Sequence, residues 1–266
     1  MECVHSLDEI KHTPFRECLR LHGVKNDVEV DYTAELPAFT GLGSSSSFIV
    51  GLLHSLHAFK GNKVDKFELA QEAIHVERDI LKEPVGYQDQ VFAAMGGMNL
   101  IKFTSDKIDI KPIKLSEDRL DEFENHLMLF FTGIRRRASD IIAGQIQKVD
   151  ENKESLSKMR ELTYQAYDIL TESKPLSEFG RLLDKSWSLK RSLNHNISNG
   201  EIDKIYADGM SAGAYGGKLL GAGAGGFVLF FVPPDVKETM RSKLDHLTEI
   251  PIKISSYGSH ILNGMK

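Results

Sequence analysis

The sequence predicts an α+β fold, and three observations carry that expectation. Apolar residues recur at strand spacing in some stretches and at helix spacing in others. The strands and helices read this way are interleaved without strict βαβ alternation, which disfavours a doubly wound parallel sheet. The chain has 266 residues, of which 41% are hydrophobic and 27% charged, an ordinary globular composition sufficient for one large or two modest domains.

Taken in order, residues 28–33, "VEVDYT", alternate and read as a strand. After the serine run at 44–47, Ile49, Leu52, Leu53, Leu56 and Phe59 recur at helical spacing, and Gly61 stops the helix. Asp65 and Glu68 have capping-box spacing and open a second helix through about Lys82. Residues 98–103 and 107–115 form a hairpin around "TSD", and "LMLFFT" at 127–132 is a buried strand. Helical patterns follow at roughly 137–148, 151–171, 175–193 and 201–214. A strand "GFVLFFV", a helix carrying Val236, Met240, Leu244 and Leu247, and a short strand at 250–254 complete the pattern. The charged stretch 116–126 is the expected domain seam, giving domains at 1–122 and 123–266.

Composition narrows the function classes. A formal net charge of −5 argues against a general nucleic-acid binder. The apolar run "FVLFFV" at 227–232 is far too short to span a bilayer, and "MECVHSLDEIKHT" has no apolar core of a secretory signal. Two cysteines, Cys3 and Cys18, without metal-type spacing suit a reduced cytoplasmic protein with neither nucleic acid nor membrane as partner.

The most informative stretch is "PAFTGLGSSSS" at 37–47. A linker would run on into polar sequence, whereas here the serines lead directly into an amphipathic helix. A strand, a glycine loop and a helix N-terminus together present unpaired backbone N–H groups to a phosphate. Gly41 and Gly43, flanking Leu42, allow a tight turn and close approach, and Ser44, Ser45, Ser46 and Ser47 add hydroxyls. An N-cap needs one serine, not four. A second cluster, "GGKLLGAGAGGF" at 216–227, holds Gly221, Gly223, Gly225 and Gly226. It is preceded by a helix and followed by a strand, the wrong context for a dinucleotide fold. A helix C-cap with a tight turn is one reading, and a second backbone wall around a ligand is the preferred one.

Glu77 has Ala73, Ile74, Ile80 and Leu81 at helical neighbour positions, so its carboxylate leaves the buried face. It is either half of a buried salt bridge or a metal ligand facing the serine loop. Asp89, in "EPVGYQDQVFAAMGG", falls near the start of a short helix, where a first-turn acid is electrostatically favoured in any case. Among the arginines of "TGIRRRASD", Arg135 and Arg137 read as a solvated face, while one arginine at this strand end suits an anionic substrate.

"PAFTGLGSSSS" resembles the second motif of the GHMP kinases, and "KLLGAGAGGF" their third. With "EPVGYQDQVFAAMGGMN", "TGIRRRASDI", "SWSLKRSL" and "GAYGGKLLGAGAGGF", the likeness is to the branch that phosphorylates sugars at the anomeric hydroxyl. It implies two α+β lobes, one similar to ribosomal S5 domain 2 and one ferredoxin-like, with ATP and Mg²⁺ as cofactors. Gly41, Gly43 and Ser44 would wrap the triphosphate, and Ser45 and Glu77 would hold the metal. Asp89 would act on the sugar hydroxyl, and Arg136 matches the family's "TG-x-x-R-x-A" arginine facing substrate phosphate. A heptose 7-phosphate is the implied acceptor, with fucose- or galactose-type sugars as runner-up. Only 36 residues precede Pro37, and none resembles the family's first motif. An incomplete first lobe, impaired turnover and self-association into a homo-oligomer are therefore expected, with a non-catalytic relative as the other outcome.

Overall fold

The computed structural model describes residues 3–36, 38, 40–135, 142 and 148–262. The chain forms two compact units: one comprises Met1–Ala38, Gly43–Gly97 and Ser255–Lys266, the other Phe39–Leu42 and Met98–Ile254. The seam expected at 122/123 falls inside the second unit. The charged stretch that suggested it forms a helix, Glu117–Glu124, whose Phe123 is buried.

The first unit is helical among its described residues: α1 Thr13–Leu21, α2 Ser44–Phe59, α3 Lys66–His75 and α4 Gln88–Met95. Pro14 sits in the first turn of α1, where a missing N–H costs nothing. The predicted capping box of α3 is present, with Asp65 accepting from the amides of Phe67 and Glu68. Helix α2 packs against α1, α3 and α4. Its Ile49, Val50, Leu52, Leu53 and Leu56 are buried, each contributing about 1.5–3 kcal/mol of burial. One turn of π-helix, Val76–Ile80, extends α3. Residues 255–262 return to this unit: the Gly97 amide donates to Ser255 O at 2.8 Å, and the Ser259 amide to Ala93 O at 2.8 Å. Residues 28–33 are not a strand. They are almost entirely exposed and pair with no other strand among the described residues, so alternation alone gave them no ladder.

The second unit holds a hairpin, β1 Asn99–Phe103 with β2 Ile108–Pro112, and α5 Glu117–Glu124. It continues with β3 Leu127–Phe131, α6 Lys153–Thr171, α7 Leu176–Leu193 and α8 Gly200–Ser211. It closes with β4 Gly216–Leu219, β5 Phe227–Phe231, α9 Lys237–Lys243 and β6 Thr248–Ile250. Its antiparallel sheet has the order β4-β5-β3-β6, with Leu129 opposite both Leu229 and Ile250. One face buries Phe130, Val228 and Phe230 with Trp187, Ile202 and Ile205, and the other sets Phe231 against Phe123, Leu170 and Leu176.

One strand expectation is corrected, and one strand is additional. The last strand stops at Ile250 rather than running through 254, because Pro251 has no N–H to continue the ladder. Strand β4 lies in the glycine-rich stretch for which no strand is expected, since glycine is depleted in strands. Here the absence of side chains is the requirement: a Cβ on Gly216 would lie 1.9 Å from Gly180 O on α7. Of the helix expected at 137–148, most lies outside the described residues.

Candidate active site

Gly43 precedes α2 with φ 69° and ψ 24°, a left-handed conformation that glycine adopts without strain. No side chain caps this helix start. The amides of its first turn, Ser44 to Ser46, have no carbonyl available within the helix, whereas the Ser47 amide already donates to Gly43 O at 2.9 Å. Gly43 is also required by Asp89. A Cβ at Gly43 would stand 2.9 Å from Asp89 Cγ and 3.2 Å from its Oδ2. The glycine thus lets the Asp89 carboxyl lie against the loop that opens the helix.

Glu77 sits in the π turn and is 2% exposed. Its Oε2 accepts from Ser46 Oγ at 2.7 Å and, through a short contact, from Gln90 Nε2. Burial pushes its carboxyl above the usual range, opposed by the hydroxyls of Ser46 and Ser45 and the Gln90 amide, and reinforced by the charge of Asp89. Among the described residues these donors are all neutral, and none is an arginine. Asp89 lies in the first turn of α4, as expected, and surrounding protein pushes its carboxyl upward although the residue keeps one side open to solvent.

Gln90 escaped the sequence reading. It is fully buried, and its Oε1 has no hydrogen-bond partner among the described residues. The available signal was its position on the face of α4 that also carries Val91 and Ala94, both buried. The turn before α4 is braced by the Arg78 guanidinium, which lies 4.4 Å from the Tyr87 ring centre and donates to Val85 O. Ser44, Ser46, Glu77, Asp89 and Gln90 all belong to the first unit. Thr40, Gly41 and Leu42 belong to the second.

Each glycine of the glycine-rich cluster stands against another stretch of the chain. A Cβ at Gly226 would lie 2.0 Å from Thr40 O, and one at Gly221 2.5 Å from Gly41 O. The Gly223 position abuts Ile197 and the Gly225 position abuts Ile134. The amides of Ala224 and Gly226 donate to Ile197 O and Ile134 O. These glycines let the chain pack on itself, and what they hold is the Thr40–Leu42 segment. Arg136 lies outside the described residues. No helix among the described residues is long and apolar enough to cross a membrane.

Residues 11–97 match the sequence model of the GHMP kinases N terminal domain, and residues 149–247 match that of the GHMP kinases C terminal domain. The chain belongs to the GHMP kinases. Within this family it is 35% identical over 208 residues to D-glycero-alpha-D-manno-heptose 7-phosphate kinase of Campylobacter jejuni, covering 77% of this chain and 61% of that one. It is 29% identical over 220 residues to L-fucokinase/L-fucose-1-P guanylyltransferase of Bacteroides fragilis, covering 80% of this chain and 23% of that protein. The chain therefore spans less than two thirds of the length of these relatives. The GHMP kinase fold is also that of a D-glycero-D-manno-heptose 1-phosphate kinase crystal structure from Bacteriodes thetaiotaomicron, with a TM-score of 0.77 at 24% identity over 97% of this chain and 77% of that one. The N-terminal family match ends at residue 97, where the first unit gives way to the second.

Proposed function

We propose that the chain transfers the γ-phosphoryl group of ATP to the anomeric hydroxyl of a sugar, with D-glycero-D-manno-heptose 7-phosphate as acceptor and the 1,7-bisphosphate as product. The observation that carries this reading is Glu77, a buried carboxylate held by neutral donors, beside the orphaned Gln90 Oε1 and near Asp89. The 35% identity to a heptose 7-phosphate kinase supports the choice of sugar.

In this reading the amides of Ser44 to Ser46 hold the phosphates at the N-terminus of α2, where the helix dipole favours negative charge. The oxygen donors of Glu77 and Ser45 fit Mg²⁺, a hard cation that takes oxygen ligands, and a cation would balance a buried carboxylate that has no positive partner among the described residues. When bound, Mg²⁺ neutralises charge on the transferring phosphoryl group. Ser46 and Gln90 orient the Glu77 carboxylate. Asp89 accepts or orients the proton of the attacking hydroxyl, and the upward push on its carboxyl suits a base. Phosphoryl transfer asks for positioning and charge neutralisation more than covalent help. Gly41 and Leu42 border the phosphate loop, and Arg136 binds the sugar's own phosphate.

The experiment is ATP consumption with Mg²⁺ and heptose 7-phosphate, unphosphorylated heptose, fucose or galactose, with the product's phosphate position read by ³¹P NMR. Preference for heptose 7-phosphate and a new anomeric phosphate are expected. Preference for fucose or galactose would reassign the substrate, and no consumption with any sugar would favour a non-catalytic relative.

A further inference from the structure

A second polar cluster lies in the first unit, away from the serine loop. His22 follows α1, His57 lies on α2 and Glu72 on α3. Helix packing brings the three together from separate stretches of chain. His22 Nε2 stands 3.0 Å from Glu72 Oε1, and His57 Nε2 stands 2.8 Å from Glu72 Oε2. Each imidazole therefore uses its own oxygen of one carboxylate. The two rings meet edge to face, centres 4.7 Å apart. One ligand atom from each residue lies within 4.8 Å of the others.

We propose that His22, His57 and Glu72 bind one zinc ion. Two imidazoles and a carboxylate form a donor set that zinc uses, at metal–ligand distances of about 2.0–2.2 Å. Tetrahedral bonds of that length put neighbouring donor atoms roughly 3.3 Å apart. With one donor atom taken from each residue, all lie within 4.8 Å of one another, so the set contracts by at most ~1.5 Å to reach that value. The imidazoles favour zinc over the hard cations Mg²⁺ and Ca²⁺, which take oxygen ligands.

The surroundings agree with this assignment. Lys60, the nearby cation, donates to the backbone oxygen of His22 at 3.0 Å, and Glu72 has no Lys or Arg partner among the described residues. Its charge is therefore available to a metal. His57 and Glu72 keep about a fifth of their side-chain surface exposed, so water can complete the fourth position. His22 is more buried, which closes the site from the protein side. The bound ion would cross-link α1, α2 and α3, the helices that carry the serine loop at one end and lead into Glu77 at the other.

The test uses the metal-stripped whole chain in excess Mg²⁺, titrated with zinc against a chromogenic chelator. One equivalent bound at micromolar affinity or tighter is expected, and His57→Gln and Glu72→Gln should each weaken it at least about tenfold. Zinc uptake equal in the parent and in a folded His57→Gln variant would overturn the site. A second measurement needs no variant. Zinc should protect His22 and His57 of the parent chain from diethyl pyrocarbonate, mapped by mass spectrometry, while exposed His75 and His246 stay reactive. Undiminished modification of His22 and His57 at saturating zinc would equally overturn it.

Discussion

Ser46 and Glu77 are hydrogen-bonded, Oγ to Oε2 at 2.7 Å, although 31 residues separate them in the chain. The bond joins the first turn of α2 to the π turn that ends α3, so the phosphate-binding candidate and the metal-binding candidate are one piece of structure. Replacing Glu77 with Gln keeps the shape but removes the charge. We expect Mg²⁺-dependent ATP binding to weaken on the order of tenfold or more, with metal-free binding changed less. Calorimetric titration with and without Mg²⁺ checks this, and an unchanged Mg²⁺ dependence would make Glu77 structural.

Asp89→Asn should lower turnover by on the order of 100-fold or more and leave ATP affinity within a few-fold. The carboxylate faces the loop at Gly43, yet the change from oxygen to amide adds no bulk there. Steady-state kinetics beside equilibrium nucleotide binding separates the two effects, and turnover at the parent rate would remove Asp89 from the chemistry.

Gly43→Ala strains the loop twice. A left-handed backbone costs a non-glycine residue about 1–3 kcal/mol, and the new methyl meets Asp89 at 2.9 Å. A lower melting temperature and a fall in kcat are expected together. If kcat holds while stability drops, the contact between Gly43 and Asp89 does not position the carboxyl for catalysis.

Arg136→Ala should slow heptose 7-phosphate more than unphosphorylated heptose, because alanine cannot replace charge-assisted bonds to phosphate. Competition kinetics with the two sugars measures the ratio, and equal losses on both would remove Arg136 from that role.

The cysteines should differ sharply in reactivity. Cys3 is exposed, whereas Cys18 is buried and its thiol is pushed up to about 12, first by burial and then by the charges of Glu72, Glu77 and Glu17. The thiolate is the reactive form, so Cys18 stays protonated well above neutral pH and would ionise only as pH approaches that value. Maleimide at pH 8 should label one site in the native protein and two after denaturation. Two labels in the native state would refute the assignment.

What the sequence made legible were features set by local periodicity and caps. Helix α2, the Asp65–Glu68 box and the β3 and β5 strands follow from side-chain spacing, and the burial of Glu77 follows from its apolar neighbours. What it hid depends on partners distant in the chain. Residues 28–33 alternate but find no ladder, and β4 is a strand of glycines because Gly180 O approaches from α7. The same holds for Gly221 and Gly226, whose need for glycine comes from Gly41 and Thr40 about 180 residues earlier. For Gln90 the pattern marks only its place on the buried face of α4, not the partner, which is a carboxylate on another helix.

The return of residues 255–262 to the first unit has a consequence for biosynthesis. Gly258 packs so closely on Gly96 that a Cβ at Gly96 would lie 2.1 Å from the Gly258 nitrogen, and Ser255 and Ser259 bond the same turn. Translation delivers these residues only after the whole of Met98–Ile254. At about 5–20 residues per second, that is a wait of roughly 8–30 s. During it, the segment around Gly96 stays uncovered on the ribosome while the strands of the later unit are still being made. Nascent chains stalled before Ser255 should therefore expose Gly96 and its neighbours to proteases and chaperones, and chains released beyond Ser259 should not.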